Sequence, residues 1–455
     1  MLRRHRRQVA GAVCLAVFLA AVLPIGSCRT IEDIPSRVEA LGYGDTVSPV
    51  PSFRGEPDIR VRIKKDASTV TLGSVLTTGG SVVIRPVQGG SPVTLPAPVT
   101  VSASRDGFVA AGPGGVRRQF GYGVDLDVLS SVQSGAGSRV GPLRVDGVVH
   151  ESAVRLLGDW SEGGERFQVI AMMDVETYLP GVLHRELFKD WPLETFRAQA
   201  VAARSYALHE RHRARAAGRP FDVESDTGDQ VYGGATSNPR ALNAARDTRG
   251  IVLVAGPRDQ LLRAYYSSTC GGRPASAADV WPTTRGFEFN TSPALQGRAR
   301  DHWCQASPLY RWTTTRGDEE LSRRLRAWGR SAGSPVRNIG RVRSVEVVRR
   351  NGADRPGRYR LTDDAGRAYE LSAEELRIAC NFPAEGTPEV TRQTRVASGD
   401  VAIDVWADRV QIAGRGFGHG VGMCQWCAKG MADKGTAYRR MLEIFYPGAR
   451  IRKVY

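Results

Sequence analysis

The pattern that most narrows the fold is a succession of short β-branched runs that begins at Asp58. IRVRIKK, STVTLGS, SVVIRPV, VTLPAPVTVSAS and FVAAG alternate apolar with polar residues and stop at Gly, Pro or Asp. GPLRVDGVVHE, SAVRLLG and RFQVIAMMDV continue the pattern, with turn-rich gaps such as GDWSEGGE between them. A period of two puts one face of an extended segment in a core and the other in water, which is strand chemistry. The 51 glycines and 25 prolines fit many turns and short strands rather than long bundles. No repeat of fixed period runs through the chain.

One segment breaks this pattern decisively. Residues 192–216 read as the best helix, with Pro192 suited to the first helical position and Glu194 to the first turn. Phe196, Ala200, Ala203 and Ala207 fall on one face, and such small residues let a helix lie close to its cover. Gly218 and Pro220 close it. A second short helix is expected at ALNAARDTRG, a capped one at LSAEELRIAC with Ser372 as N-cap, and another around AYRRMLEIF. Strands return from Arg341 onward. The fold class is therefore α+β, with a β-rich region over 56–170 and a mixed region over 171–455.

The first residues carry a different signal. MLRRHRR is basic, QVAGAVCLAVFLAAVLPIG is apolar, and the run ends Ile25-Gly26-Ser27-Cys28. This reads as an export signal. Its ending resembles a bacterial lipobox, giving a lipoprotein signal over 1–27, a lipidated Cys28 and a polar tether over 28–55. An uncleaved transmembrane anchor is the alternative, since the run borders on spanning length. Either way the body is expected outside the cytoplasm, attached to the membrane. The chain holds 63 Lys and Arg against 47 Asp and Glu, and only four of the basic residues lie in the leader. A basic exported protein points to an anionic partner. Export argues against nucleic acid and leaves cell-wall polymer or anionic lipid.

The chemistry-bearing residues come in four stretches. YLPGVLHREL places a carboxylate, Glu186, between an apolar segment and the long helix. DTGDQVYGGA offers Asp226, Thr227, Gln230 and Tyr232, suited to sugar recognition and equally to turn capping. AYYSSTCGG adds Tyr265, Tyr266, Ser267, Ser268 and Thr269, without a Ser-His-Asp signature. GRGFGHGVGMCQWCAKGMA has glycines at 414, 416, 418, 420, 422 and 430 around His419, with Gln425 and Trp426 following. Glycines this dense allow positive φ and close backbone approach. No Lys-Ser/Thr ending marks a phosphate loop. Beyond Cys14 and Cys28 there are five cysteines, Cys270, Cys304, Cys380, Cys424 and Cys427. An odd number in an oxidising compartment leaves one unpaired or metal-bound. Disulfides, for example Cys270 with Cys304, are the first reading. Structural zinc on Cys424 and Cys427 with donors from Cys270, Cys304 and His302 is the second.

These stretches, in this order over roughly residues 58–455, resemble the SpoIID/LytB family of bacterial cell-wall proteins. The resemblance rests on YLPGVLHREL with WPLETFRAQAVAARSYAL, DTGDQVYGG, YYSSTCGGRPASAADVW, and GHGVGMCQWCAKGMADKG before IFYPG. It implies one of two activities: lytic cleavage of peptide-free peptidoglycan strands to 1,6-anhydro-muramic ends, or non-enzymatic enhancement of an amidase. It implies Glu186 as the acid. With that reading, Gln199, Arg204, Tyr232, Tyr265, Ser267, Ser268, His419 and Gln425 are candidate cleft residues, and no cofactor is required beyond an optional structural zinc. Three departures stand out. The family commonly has Met-Pro where Leu187-Phe188 stand, His at Tyr266 and Gly at Cys427. A lytic transglycosylase needs no attacking water, so one carboxylate suffices where hydrolases use two. Glu186 would have to be protonated at rest. Leu183, Leu187 and Trp191 would raise its pKa and Arg185 would lower it, a balance that sequence leaves open.

Overall fold

The computed structural model describes residues 53–75, 80–134 and 137–455. The leader, Cys28 and nearly all of the tether lie outside the described residues. Among those described, no helix is long and apolar enough to cross a membrane.

The alternating runs form two sheets over one core. In spatial order the larger sheet holds Val223–Glu224, Asp58–Ala67, Phe167–Asp174, Ala153–Gly158, Leu126–Ser134, Ser81–Pro86 and Val93–Pro96, with Gly137–Gly141 paired to Leu126–Ser134. The second sheet has six strands, including Thr69–Ser74, Val99–Ser104 and Gly107–Ala111. Inward residues from both, such as Ile59, Val61, Val101, Phe108 and Val169, are fully buried in a common cluster. The pattern of two thus does what the sequence requires of it: every second side chain leaves water.

The strand Phe167–Asp174 is central to the site. It pairs antiparallel with Asp58–Ala67 on one side and Ala153–Gly158 on the other. At Asp174 it runs directly into helix α1, Val175–Glu186, whose last residue is Glu186. A sheet fixed on both edges therefore aims this helix. Tyr178, Leu179 and Val182 of α1 join the sheet core, as do Ala203, Ala207 and Leu208 of α2, Leu193–Ala216. After α2 the strand Val223–Glu224 returns to pair in parallel with Asp58–Ala67. One core accordingly runs straight through position 170.

Helix α2 lies between cores. Ala203 and Ala207 face the sheets, Ala198, Val201 and Ala202 face a second cluster, and Phe196 and Ala200 meet Leu183, Leu187 and Trp191. Its small residues allow this approach from several sides. Pro192 stands at the N-cap, one residue before the first helical position expected of it. Helix α3, Pro239–Asp247, follows, capped by Asn238, and then the single turn α4, Ala277–Val280.

Residues 312–414 build a body with its own core. Two three-stranded sheets pack with α5, Asp318–Ser331, and α6, Ala373–Asn381, around Leu325, Tyr359, Leu361, Leu376 and Ile412. Ser372 caps α6 with the reciprocal Glu375 bond of a capping box, as its sequence predicts. The chain then returns through the glycine-dense loop to α7, Gln425–Ala432, and α8, Tyr438–Phe445.

Candidate active site

Two distant stretches of chain meet at a short parallel pairing, Tyr266–Ser267 with Met423–Cys424. Glycines make the meeting possible. Gly422 has φ +71 and a Cβ there would lie 2.1 Å from the Tyr265 carbonyl oxygen. At Gly416, φ +79, a Cβ would lie 2.3 Å from the Thr269 carbonyl oxygen. Only glycine accepts both the conformation and the approach. Two serines complete the junction: the Gly420 N–H donates to Ser267 Oγ at 3.2 Å, and the Trp426 N–H donates to the Ser268 carbonyl at 3.1 Å.

Across from this junction the end of α1 brings in Glu186. It sits partly exposed in a pocket shared with Tyr266, Ser267, Ser268, His419 and Gln425. One carboxylate oxygen accepts the Val231 N–H at 3.2 Å and the other accepts Gln425 Nε2 at 3.1 Å. Leu187, buried, ends α1 by donating its N–H to the Leu183 carbonyl. Phe188 then joins Trp191 and Trp426 in an aromatic wall, with ring centroids 5.2 Å and 6.2 Å from Phe188 and 5.1 Å between the tryptophans. The departure from Met-Pro thus leaves the acid in place and adds a ring beside it.

Burial dominates the electrostatics of Glu186. Desolvation raises its pKa, while the bonds from Gln425 and Val231 lower it less. Arg185, exposed, lies along Gly233, where a Cβ would meet its Cδ at 2.5 Å. Burial, not this cation, sets the direction of the shift. The pocket has one further carboxylate, Asp229, but both its oxygens are engaged: Tyr206 Oη donates to one at 2.8 Å and the Glu224 N–H to the other at 2.8 Å. His419 is neutral at neutral pH, because burial pushes its pKa down to about 4. Its Nδ1 accepts the Val421 N–H at 3.0 Å, so the ring pins the glycine loop while edging the pocket.

The other expected cleft residues lie elsewhere. Arg204 is fully buried and forms a two-toothed ion pair with Glu176, at 2.9 and 2.7 Å, with further bonds to Thr248 and the Ile251 carbonyl. A guanidinium on the small-residue helix was available to the core because Glu176 waits there. Tyr232 packs against Tyr178 and His150 and beneath Gly181. Tyr265 stacks on Trp281 at 3.9 Å and donates to Asn290 Oδ1. Gln199 is buried one layer behind the pocket, its Oε1 accepting from Gln425 Nε2 at 3.4 Å. It supports the residue that holds Glu186.

Tyr266 belongs to the pocket although the expected cleft set passed it over. Its oxygen accepts Gln230 Nε2 at 3.0 Å, and Gln230 Oε1 accepts from Tyr178 at 3.1 Å. Burial and the Glu186 charge raise its pKa well above the usual phenol range, so it stays a hydrogen-bond donor. The signal was its position where the family commonly has histidine.

The five described cysteines are unbridged in this structure, and Cys270 Sγ stands 3.8 Å from Cys304 Sγ, the pair expected first as a disulfide. Cys380 is buried in the separate core of residues 312–414. The remaining four, Cys270, Cys304, Cys424 and Cys427, converge, with their sulfurs all within 4.8 Å of one another. His302 takes no part and bonds Tyr310 Oη through Nε2 at 2.9 Å.

Residues 163–254 match the family model described as Stage II sporulation protein, SpoIID. Residues 290–422 match a model described as a domain of unknown function, DUF8618. The chain is 29% identical over 285 residues to an uncharacterised protein of Brachyspira hyodysenteriae, covering 62% of this chain and 68% of that one. It is 25% identical over 302 residues to the amidase enhancer of Bacillus subtilis, of which it spans 40%, and 24% identical over 300 residues to stage II sporulation protein D of the same organism, of which it spans 76%. These similarities bear out the resemblance to the SpoIID/LytB family.

Proposed function

We propose, for a chain of the SpoIID/LytB family, that it is a lytic transglycosylase acting on peptide-free peptidoglycan strands with Glu186 as its single acid and base. The observation that carries this reading is the state of Glu186: partly buried, raised in pKa by desolvation, and oriented by Gln425 and Val231. A protonated Glu186 gives its proton to the glycosidic oxygen as the bond to C1 breaks. The resulting carboxylate takes the proton of the muramic C6 hydroxyl as that oxygen closes on C1. The acid ends as it began, and no water is consumed. Asp229 supports the same conclusion, because a carboxylate tied to Tyr206 and Glu224 is poorly placed to activate water or attack the sugar. Trp191, Phe188 and Trp426 form an apolar wall suited to a sugar face.

A substrate of this kind lies in the cell wall, so the body would stand outside the cytoplasm, tethered through Cys28. Fatty-acid labelling lost in Cys28→Ala supports that placement, and labelling unaffected by it removes the anchor. One similarity favours a second reading: a relative bears the name amidase enhancer. In that case the chain binds glycan or an amidase without cleaving anything. Both readings are separated by incubating wild type and Glu186→Gln with peptide-free glycan and analysing products by mass spectrometry. Anhydro-muramic ends from wild type alone support the enzyme. No products from either, with glycan binding intact in both, overturns it in favour of the enhancer.

A further inference from the structure

The four converging cysteines come from three separate segments: Cys270 after the strand Tyr266–Ser267, Cys304 before the 312–414 body, and Cys424 and Cys427 at the start of α7. Each is at most 1% exposed. Cys270 Sγ is 3.8 Å from Cys304 Sγ and 3.9 Å from Cys427 Sγ. A tetrahedral zinc thiolate site has Zn–S bonds of about 2.3 Å, which sets its sulfur–sulfur edges at about 3.8 Å. Two disulfides would instead bring the sulfurs together in pairs at about 2.05 Å.

The surroundings present backbone donors and a positive charge to these sulfurs. The backbone N–H groups of Cys270 and Cys427 both point at Cys424 Sγ, each at 3.3 Å. Cys424 is also the N-cap of α7, where the helix dipole stabilises negative charge. Arg300 brings a positive charge to the same corner, held by the carbonyls of Gly422 and Ile444. These are the outer contacts that a buried metal thiolate centre needs.

We infer that Cys270, Cys304, Cys424 and Cys427 bind one zinc-class divalent cation as a closed tetrathiolate centre that holds the catalytic pocket together from behind. Binding releases the four thiol protons and leaves no open coordination position, so the centre is structural. Its place explains its use. Gln425 and Trp426, which hold Glu186 and build the aromatic wall, lie between ligands Cys424 and Cys427. Ser268, two residues before Cys270, accepts the Trp426 N–H. The cation therefore ties both sides of the glycine junction to a single point. This assignment stands whether or not Glu186 is catalytic, because its test reads the metal and not turnover.

The full chain, purified in detergent under reducing conditions without chelator, is assayed for metal by plasma mass spectrometry and then exchanged into Co²⁺. The expected result is one zinc per chain, and a cobalt form with near-ultraviolet thiolate charge-transfer bands and intense tetrahedral visible bands. Cys380→Ser keeps both. Cys424→Ser with Cys427→Ser loses them, and if that variant does not fold, the wild-type cobalt spectrum alone decides. In a Glu186→Gln background, chelation of the wild-type thiol set changes tryptophan emission through Trp191 and Trp426. Two results overturn the inference: failure to retain zinc or cobalt after reconstitution while all four thiols alkylate, and peptide mapping of the native protein that finds these cysteines joined as disulfides.

Discussion

Glu186 and Gln425 form a pair whose roles make opposite demands. The amide of Gln425 donates to the carboxylate and so favours its charged form, while burial favours the neutral acid. Burial prevails, and the acid is set above the usual carboxylate range. Activity should therefore be present below that raised pKa and fall as pH rises through it. Replacing Gln425 by Leu removes a bond that lowers the pKa. The alkaline limb of the pH–rate profile should move to higher pH in Gln425→Leu, with a lower maximal rate from lost orientation. A limb that stays in place, measured on peptide-free glycan, would separate the limb from Glu186. The same physics bears on stability. A glutamate whose folded pKa is raised costs the native state progressively as pH climbs above the unfolded value, and in full above the folded one. Glu186→Gln should then melt higher than wild type at neutral pH, with the advantage shrinking toward the ordinary carboxylate pKa of 4.5. Thermal scans at several pH values read this directly.

Helices α1 and α2 show how a motif mixes chemistry with architecture. Glu176, ten residues before Glu186, receives Arg204, the Gly250 N–H and Tyr455 Oη. Arg204 is fully buried, so removing it strands a carboxylate in a low-dielectric setting. Arg204→Met should lose about 3 kcal/mol of unfolding free energy in urea titrations, the usual range for breaking a buried pair. If the fold survives, glycan affinity should change little, because Arg204 does not reach the pocket. A large affinity loss with unchanged stability would return Arg204 to the binding surface. The spacing of small residues on α2 announced a buried helix, yet it could not say which polar residues faced the pocket. Gln199 and Arg204 share a helix and a buried environment, and only Gln199 lies behind Gln425. What separates them is the neighbour that each meets, which local sequence does not contain.

Under the proposed function, the excess of basic residues in the whole molecule would serve substrate recognition. Peptide-free strands carry free lactyl carboxylates and are polyanions, whereas peptide-bearing strands have these groups amide-linked. Long-range attraction between exposed charges is screened within about 8 Å at physiological ionic strength. Binding to peptide-free glycan, followed by sedimentation, should weaken as salt rises from low to several hundred millimolar, and salt-insensitive binding would detach the net charge from recognition. Much of this protein was legible in its residues. Period-two runs specify the paired sheets, because alternation fixes which face is buried. Ser372 and Glu375 specify a helix start, because cap and backbone satisfy each other locally. The ordered motifs that resemble the SpoIID/LytB family make Glu186 the candidate acid. Tertiary structure alone decided the rest. Glu186 gains its raised pKa from burial among residues far away in the chain, which outweighs the opposing bonds from Gln425 and Val231. Tyr232 and Tyr265 turn into cores while Tyr266 turns toward the pocket. Four cysteines from three segments meet at one point, leaving His302 and Cys380 aside. Sequence spacing sets local periodicity and capping; desolvation, charge and ligand geometry depend on which distant segments share a volume, and only the folded chain brings those together.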